Sequence, residues 1–92
     1  MRIRYFIDPA TRLPHIYEHG VSEREVEDIL RKPLQDIRGR DNSRIAIGLT
    51  EAGRYLRVIY VPDAAPDSLF VVSAYELGPK VKRAVRRKRR KK

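Results

Sequence analysis

The chain has no cysteine and no tryptophan, and only one methionine and two phenylalanines among its 92 residues. Without cysteine, disulfides and thiolate metal sites are excluded. A chain free of cysteine fits a reducing compartment. No apolar run approaches the ~20 residues of a membrane-spanning helix. The segment Met1–Ile7 is short and interrupted by Arg2 and Arg4, which does not fit a signal peptide. A cytoplasmic protein with no membrane partner is expected. No internal repeat is visible.

Acid is absent from one place as well. The last thirteen residues hold ten Lys or Arg and no carboxylate, whereas the first 79 carry 11 basic and 12 acidic side chains. The net charge of +9 therefore resides in one segment. A run this dense is an electrostatic footprint for a polyanion, nucleic acid above all. The organisation expected is one α+β domain over residues 1–79 and a basic C-terminal helix and tail over 80–92. Such a chain has room for one modest core and none for a large enclosed cofactor. No cofactor is expected.

The pattern along the chain gives the elements. Residues 2–7 alternate charge with Ile and aromatics, a first strand ended by Asp8-Pro9. Leu13, Ile16 and Tyr17 have helical spacing before Gly20, so the spacing predicts a two-turn helix over 13–19. Ser22 and Glu25 form a capping box, with Val21 and Val26 as its hydrophobic staple. Val26, Ile29 and Leu30 then line one face of a helix that Pro33 stops.

Beyond Pro33 the period becomes two. Ile45, Ile47 and Leu49 mark one strand. Arg54–Val61 is a second, with Leu56, Val58 and Tyr60 on one face and Tyr55, Arg57, Ile59 and Val61 on the other. Leu69–Tyr75 is nearly continuous apolar, as in an interior strand. Gly78-Pro79 opens a last helix whose stripe is Val81, Ala84 and Val85. Nothing apolar follows, so order is expected to end near residue 86. The expected architecture is a small antiparallel sheet packed by two N-terminal helices and a basic C-terminal helix.

Three segments resemble the BrnT-like toxins. His19-Gly20-Val21-Ser22 with Glu25-Val26 and Ile29-Leu30 is similar to their helix pair. Ile47-Gly48 and Gly53–Tyr60 are similar to their central hairpin, and Val71–Ala74 to the strand that follows. His15 and Pro33 resemble an uncharacterised sister family. Glu18 and Tyr75 stand where the toxins place Lys and Arg. The resemblance implies a RelE-like fold and a type II toxin that cleaves messenger RNA, free or ribosome-bound, and is neutralised by an antitoxin protein. A non-catalytic nucleic-acid-binding domain of the same fold is the alternative.

A metal-free ribonuclease needs a base for the 2′-hydroxyl, an acid for the leaving 5′-oxygen, and cations for the phosphorane. The candidates are His19 as acid or base, Arg54 and Arg57 as phosphate clamps, and Tyr75 as weak base or stacking platform. Arg44 is a candidate RNA contact on the neighbouring strand. Lys80, Lys82, Arg83, Arg86, Arg87, Lys88, Arg89 and Arg90 are candidate phosphate contacts of the tail. Each residue also has a plainer reading: His19 as a helix end, Arg54 and Arg57 as solvated strand residues, Tyr75 as a sheet aromatic and the tail as a solubility segment. His15-Ile16-Tyr17-Glu18-His19 fits the H-x-x-E-H pattern of inverted zinc peptidases. That class requires a distant third ligand and a much larger domain, so no metal is expected.

Overall fold

The computed structural model describes residues 1–90, with side chains through Arg89. Five strands form one sheet: β1 (Arg2–Tyr5), β2 (Gln35–Arg38), β3 (Arg44–Leu49), β4 (Tyr55–Pro62) and β5 (Ser68–Glu76). Their order is β1-β5-β4-β3-β2. Two α-helices accompany them, α1 (Glu23–Arg31) and α2 (Pro79–Arg90), with a 3-10 turn at His15–His19.

This corrects the expected architecture. The sheet is mixed, because β1 joins β5 in parallel, with Arg2 opposite Ser68 and Tyr5 opposite Val71. Only one α-helix precedes the main strands, and the second lies after them. The antiparallel, RelE-like arrangement with two N-terminal helices is replaced by this one. Period-two patterning identifies a strand but is silent on its neighbour, which is why β1 was legible and its parallel pairing was not.

The predicted first helix fails for a local reason. Pro14 occupies the position before the turn and supplies no side-chain cap, while Gly20 closes it at φ 66°. Five residues remain between them. Leu13 and Tyr17 stay exposed and only Ile16 enters the core, so the apolar stripe that an α-helix would bury does not exist.

α1 forms as expected. The Ser22 hydroxyl accepts from the Glu25 backbone N–H at 3.1 Å, and the Glu25 carboxylate accepts from the Ser22 N–H at 3.0 Å. Val26 and Ile29 are fully buried. Together with Ile16 and Val21 they pack on Ala46, Leu56, Val58, Tyr60, Val71 and Ala74. Each large aliphatic buried there stabilises the fold by roughly 1.5–3 kcal/mol. Gly48 allows the close approach of α1, since a Cβ at that position would stand 3.2 Å from Ile29 Cδ1.

The opposite face of the sheet is only partly covered. Val85 of α2 packs with Ile47, Tyr55 and Leu77 in a second, smaller core. Val81 and Ala84 remain exposed, so the docking stripe narrows to Val85. α2 nevertheless stays helical to Arg90, beyond the expected limit near residue 86. Among the described residues no helix is long and apolar enough to cross a membrane.

Candidate nucleic-acid interface

Along β4 the side chains alternate as the sequence predicts. Leu56, Val58 and Tyr60 enter the α1 core, while Tyr55 turns to the α2 side. Arg57 follows Tyr55 on that second face, opposite Tyr75 of β5 and Ile47 of β3. α2 covers the Tyr55 end of this face and leaves Arg57, Ile59, Ser73 and Tyr75 half-buried.

Arg57 is held by an aromatic ring. Its Nη1 donates to the Tyr75 hydroxyl at 3.4 Å, and its guanidinium carbon lies 5.7 Å from the Tyr75 ring centre. Its Nε is buried with no hydrogen-bond partner. Among the described residues Arg57 makes no ion pair, so its charge is available to an anion.

Arg54 is placed differently. Its Nη1 donates to both Glu25 carboxylate oxygens at 3.1 Å and to the Gly20 carbonyl at 2.8 Å. Its Nε donates to Glu76 at 3.4 Å. Burial pushes the Glu25 carboxyl up, but the hydrogen bonds from the Ser22 N–H and from Arg54 outweigh it and hold the group below its ordinary range. Arg54 therefore ties the end of the 3-10 turn and the start of α1 to β4 and β5. It holds Gly20, the residue after His19, and is committed to contacts within the protein.

His19 ends the 3-10 turn, exposed, with its ring centre 5.6 Å from that of Tyr75. The His15 ring lies 5.2 Å from His19 at a steep angle of 80°, and Phe6 lies 6.0 Å from His15. Four rings and one guanidinium thus run in a row: Phe6, His15, His19, Tyr75, Arg57. Sequence reasoning placed His19, Arg57 and Tyr75 in a site, and the fold brings these three together. It missed Phe6 and Asp8, because the approach of the 6–14 segment to the 3-10 turn is a tertiary contact. The Asp8 carboxylate is the acceptor for His15 Nδ1 at 3.2 Å and for the Ala10 N–H at 2.8 Å. Those two hydrogen bonds, the Ala10 one first, hold Asp8 below the ordinary carboxylate range. An Asp two residues before a free backbone N–H is a recognisable turn signal, and Asp8-Pro9-Ala10 carried it.

Arg44 is not part of this row. It lies on the face that carries Ala46 and packs on α1, and its Nε donates to Asp36 at 2.8 Å. Tyr60 donates to the other oxygen of Asp36 at 2.5 Å. The cations of α2 stand beside the covered end of the Arg57 face. The Lys82 ammonium lies 6.0 Å from the Tyr55 ring centre. Lys82, Arg86 and Arg89 line a groove of about 350 Å³ with Leu49, Gly53 and Tyr55. Lys80, Arg83, Arg87 and Lys88 are exposed on the same helix. The Arg90 side chain lies outside the described residues, as do Lys91 and Lys92.

Among the described residues no group of three or more His, Asp or Glu side chains is arranged to hold a metal ion. The row of rings suits stacking on unpaired bases, and Arg57 suits a phosphate between them. No family model, no curated protein and no solved structure matches the chain, so its chemistry is read from its own side chains.

Proposed function

We propose that the chain is a toxin-like, metal-independent endoribonuclease that acts on messenger RNA in the cytoplasm and is held in check by an antitoxin protein. The observation that supports this reading is the contact row His19–Tyr75–Arg57 on an open sheet face beside a helix of cations. His19 transfers a proton, as acid or base. Tyr75 stacks against a base and fixes Arg57, whose guanidinium meets the scissile phosphate. α2 holds the RNA backbone without reading its sequence. Arg54 acts through the 3-10 turn as a positioning residue.

The test is RNA cleavage mapping in a bacterial translation extract. Discrete cuts are expected with the intact protein and none with a folded His19→Ala variant. Cuts that persist in the variant would remove His19 from the chemistry. A second reading, a non-catalytic RNA-binding domain, is favoured by one observation: of the two strand arginines nominated as clamps, Arg54 is consumed by Glu25 and Glu76. Binding that survives in both proteins, with no cuts in either, selects that reading.

A further inference from the structure

Cleavage by way of the 2′-hydroxyl needs two proton carriers, and the reading above supplies only His19. We infer that His15, oriented by Asp8, is the general base of this site and that His19 is its acid. The inference rests on the ribonuclease reading and adds to it a second catalytic residue and a positioning residue.

The geometry carries it. His15 Nδ1 faces Asp8 Oδ2 at 3.2 Å. A carboxylate only accepts, so Nδ1 carries the hydrogen and the Nε2 lone pair is left open. Asp8 is fixed in turn by the Ala10 N–H, and the chain on either side of it is closed by the Ile7–Pro14 bridge. Its side chain is 17% exposed and that of His15 is 32% exposed. The carboxylate is thus shielded while the imidazole still meets solvent. The charged or titratable groups facing His15 are Asp8 of the 6–14 segment and His19 of its own turn. Those facing His19 are His15 and Tyr75 of β5, with Arg57 of β4 behind Tyr75. Two imidazoles in contact are inequivalent when, among the described residues, only one of them meets a carboxylate: Asp8 holds His15 in one tautomer, and His19 lies between the rings of His15 and Tyr75.

The step balances. His15 Nε2 takes the proton of the 2′-hydroxyl, and the 2′-oxygen forms a bond to phosphorus. The bond from phosphorus to the 5′-oxygen breaks, and His19 gives its proton to that oxygen. The products are a 2′,3′-cyclic phosphate and a 5′-hydroxyl. His15 leaves the step as an imidazolium, whose charge the Asp8 carboxylate opposes.

The experiment measures single-turnover cleavage of one messenger RNA, free and on purified ribosomes, by the full chain and by Asp8→Asn, His15→Gln and His19→Ala. The profile runs from about pH 5.5 to about 8.5. His15→Gln is expected to lose about 10²-fold or more in rate. The acid limb of the pH profile, which reports the base, should flatten with it. Binding to an oligouridylate should weaken far less than the rate, by no more than the loss of one stacking ring. Asp8→Asn should retain binding, lose part of the rate and lose the Nδ1-protonated signal of His15 in imidazole nitrogen spectra. Cleavage by His15→Gln within a few-fold of wild type would overturn the inference and leave the ribonuclease reading intact. A wild-type His15 protonated on Nε2 instead of Nδ1 would overturn it even if the variants misfold. No cleavage by folded wild-type protein would overturn both.

Discussion

Arg57 on β4 and Arg54 just before that strand sit three residues apart and have opposite circumstances. Arg54 spends its donors on Glu25, Glu76 and a backbone carbonyl. Arg57 has a tyrosine ring and a buried Nε without a partner. An orphaned buried donor costs stability, so the position is poorly explained by folding alone. Arg57→Met keeps the apolar stem and removes the orphan. RNA affinity, measured by fluorescence anisotropy, is expected to fall about tenfold, near 1.4 kcal/mol. The melting temperature should hold or rise, and a marked fall would assign Arg57 to structure instead.

Tyr60 illustrates the opposite case, a polar residue spent on the fold. Burial first, and the Asp36 carboxylate second, push its hydroxyl up from 10.0 to about 12. A raised value means that the folded state favours the protonated form. The contribution is therefore complete below pH 10.0 and is lost as pH rises toward about 12. Thermal melts across that window should show a progressive loss. In Tyr60→Phe the loss should be smaller, with the remainder from Tyr5, which is raised in the same direction by burial and Glu23. An unchanged slope in the variant would rule Tyr60 out as the source.

At the scale of elements, the stability of α1 is written locally. Ser22→Ala removes one half of the capping box and should cost about 1 kcal/mol in denaturant unfolding. A loss near zero would mean that packing alone holds the helix start. This locality explains what could be read from the chain. The cap, the staple and the Val26–Ile29 stripe are all short-range, as is the alternation of β4, and the structure has both elements. The 3-10 turn was misread because Leu13, Ile16 and Tyr17 imitate a helical stripe, while Pro14 inside that stripe limits the turn to five residues. The parallel pairing of β1 and the Asp8–His15 contact depend on distant or folded-back chain, so no local pattern contains them. Within the site, His19, Arg57 and Tyr75 were legible as residue types. That Arg54 faces two carboxylates and Arg44 a third was not.

At the scale of the molecule, charge and fold are separated but joined by one anchor. Val85 is the buried contact of α2, and every residue after it is basic. Ending the chain after Arg86 keeps that anchor and removes six cations. The expected result is an unchanged melting temperature and a flatter dependence of RNA affinity on salt. The slope should fall by up to about 4 if each lost cation meets a single-stranded phosphate. An unchanged slope would exclude the tail from binding.

The pairing of β1 with β5 has a consequence for the order in which the molecule is made. Arg2–Tyr5 leave the ribosome well before their partners Ser68–Val71. Until then the opening strand has an open edge and the 3-10 turn lacks the strand it leans on. Tyr75 emerges later still, so the row from His15 to Arg57 closes only when synthesis has passed β5. A nascent chain therefore carries its imidazoles without the tyrosine and guanidinium beside them until β5 has been made. The row is thus a product of the finished sheet and has no existence in any shorter stretch of the chain.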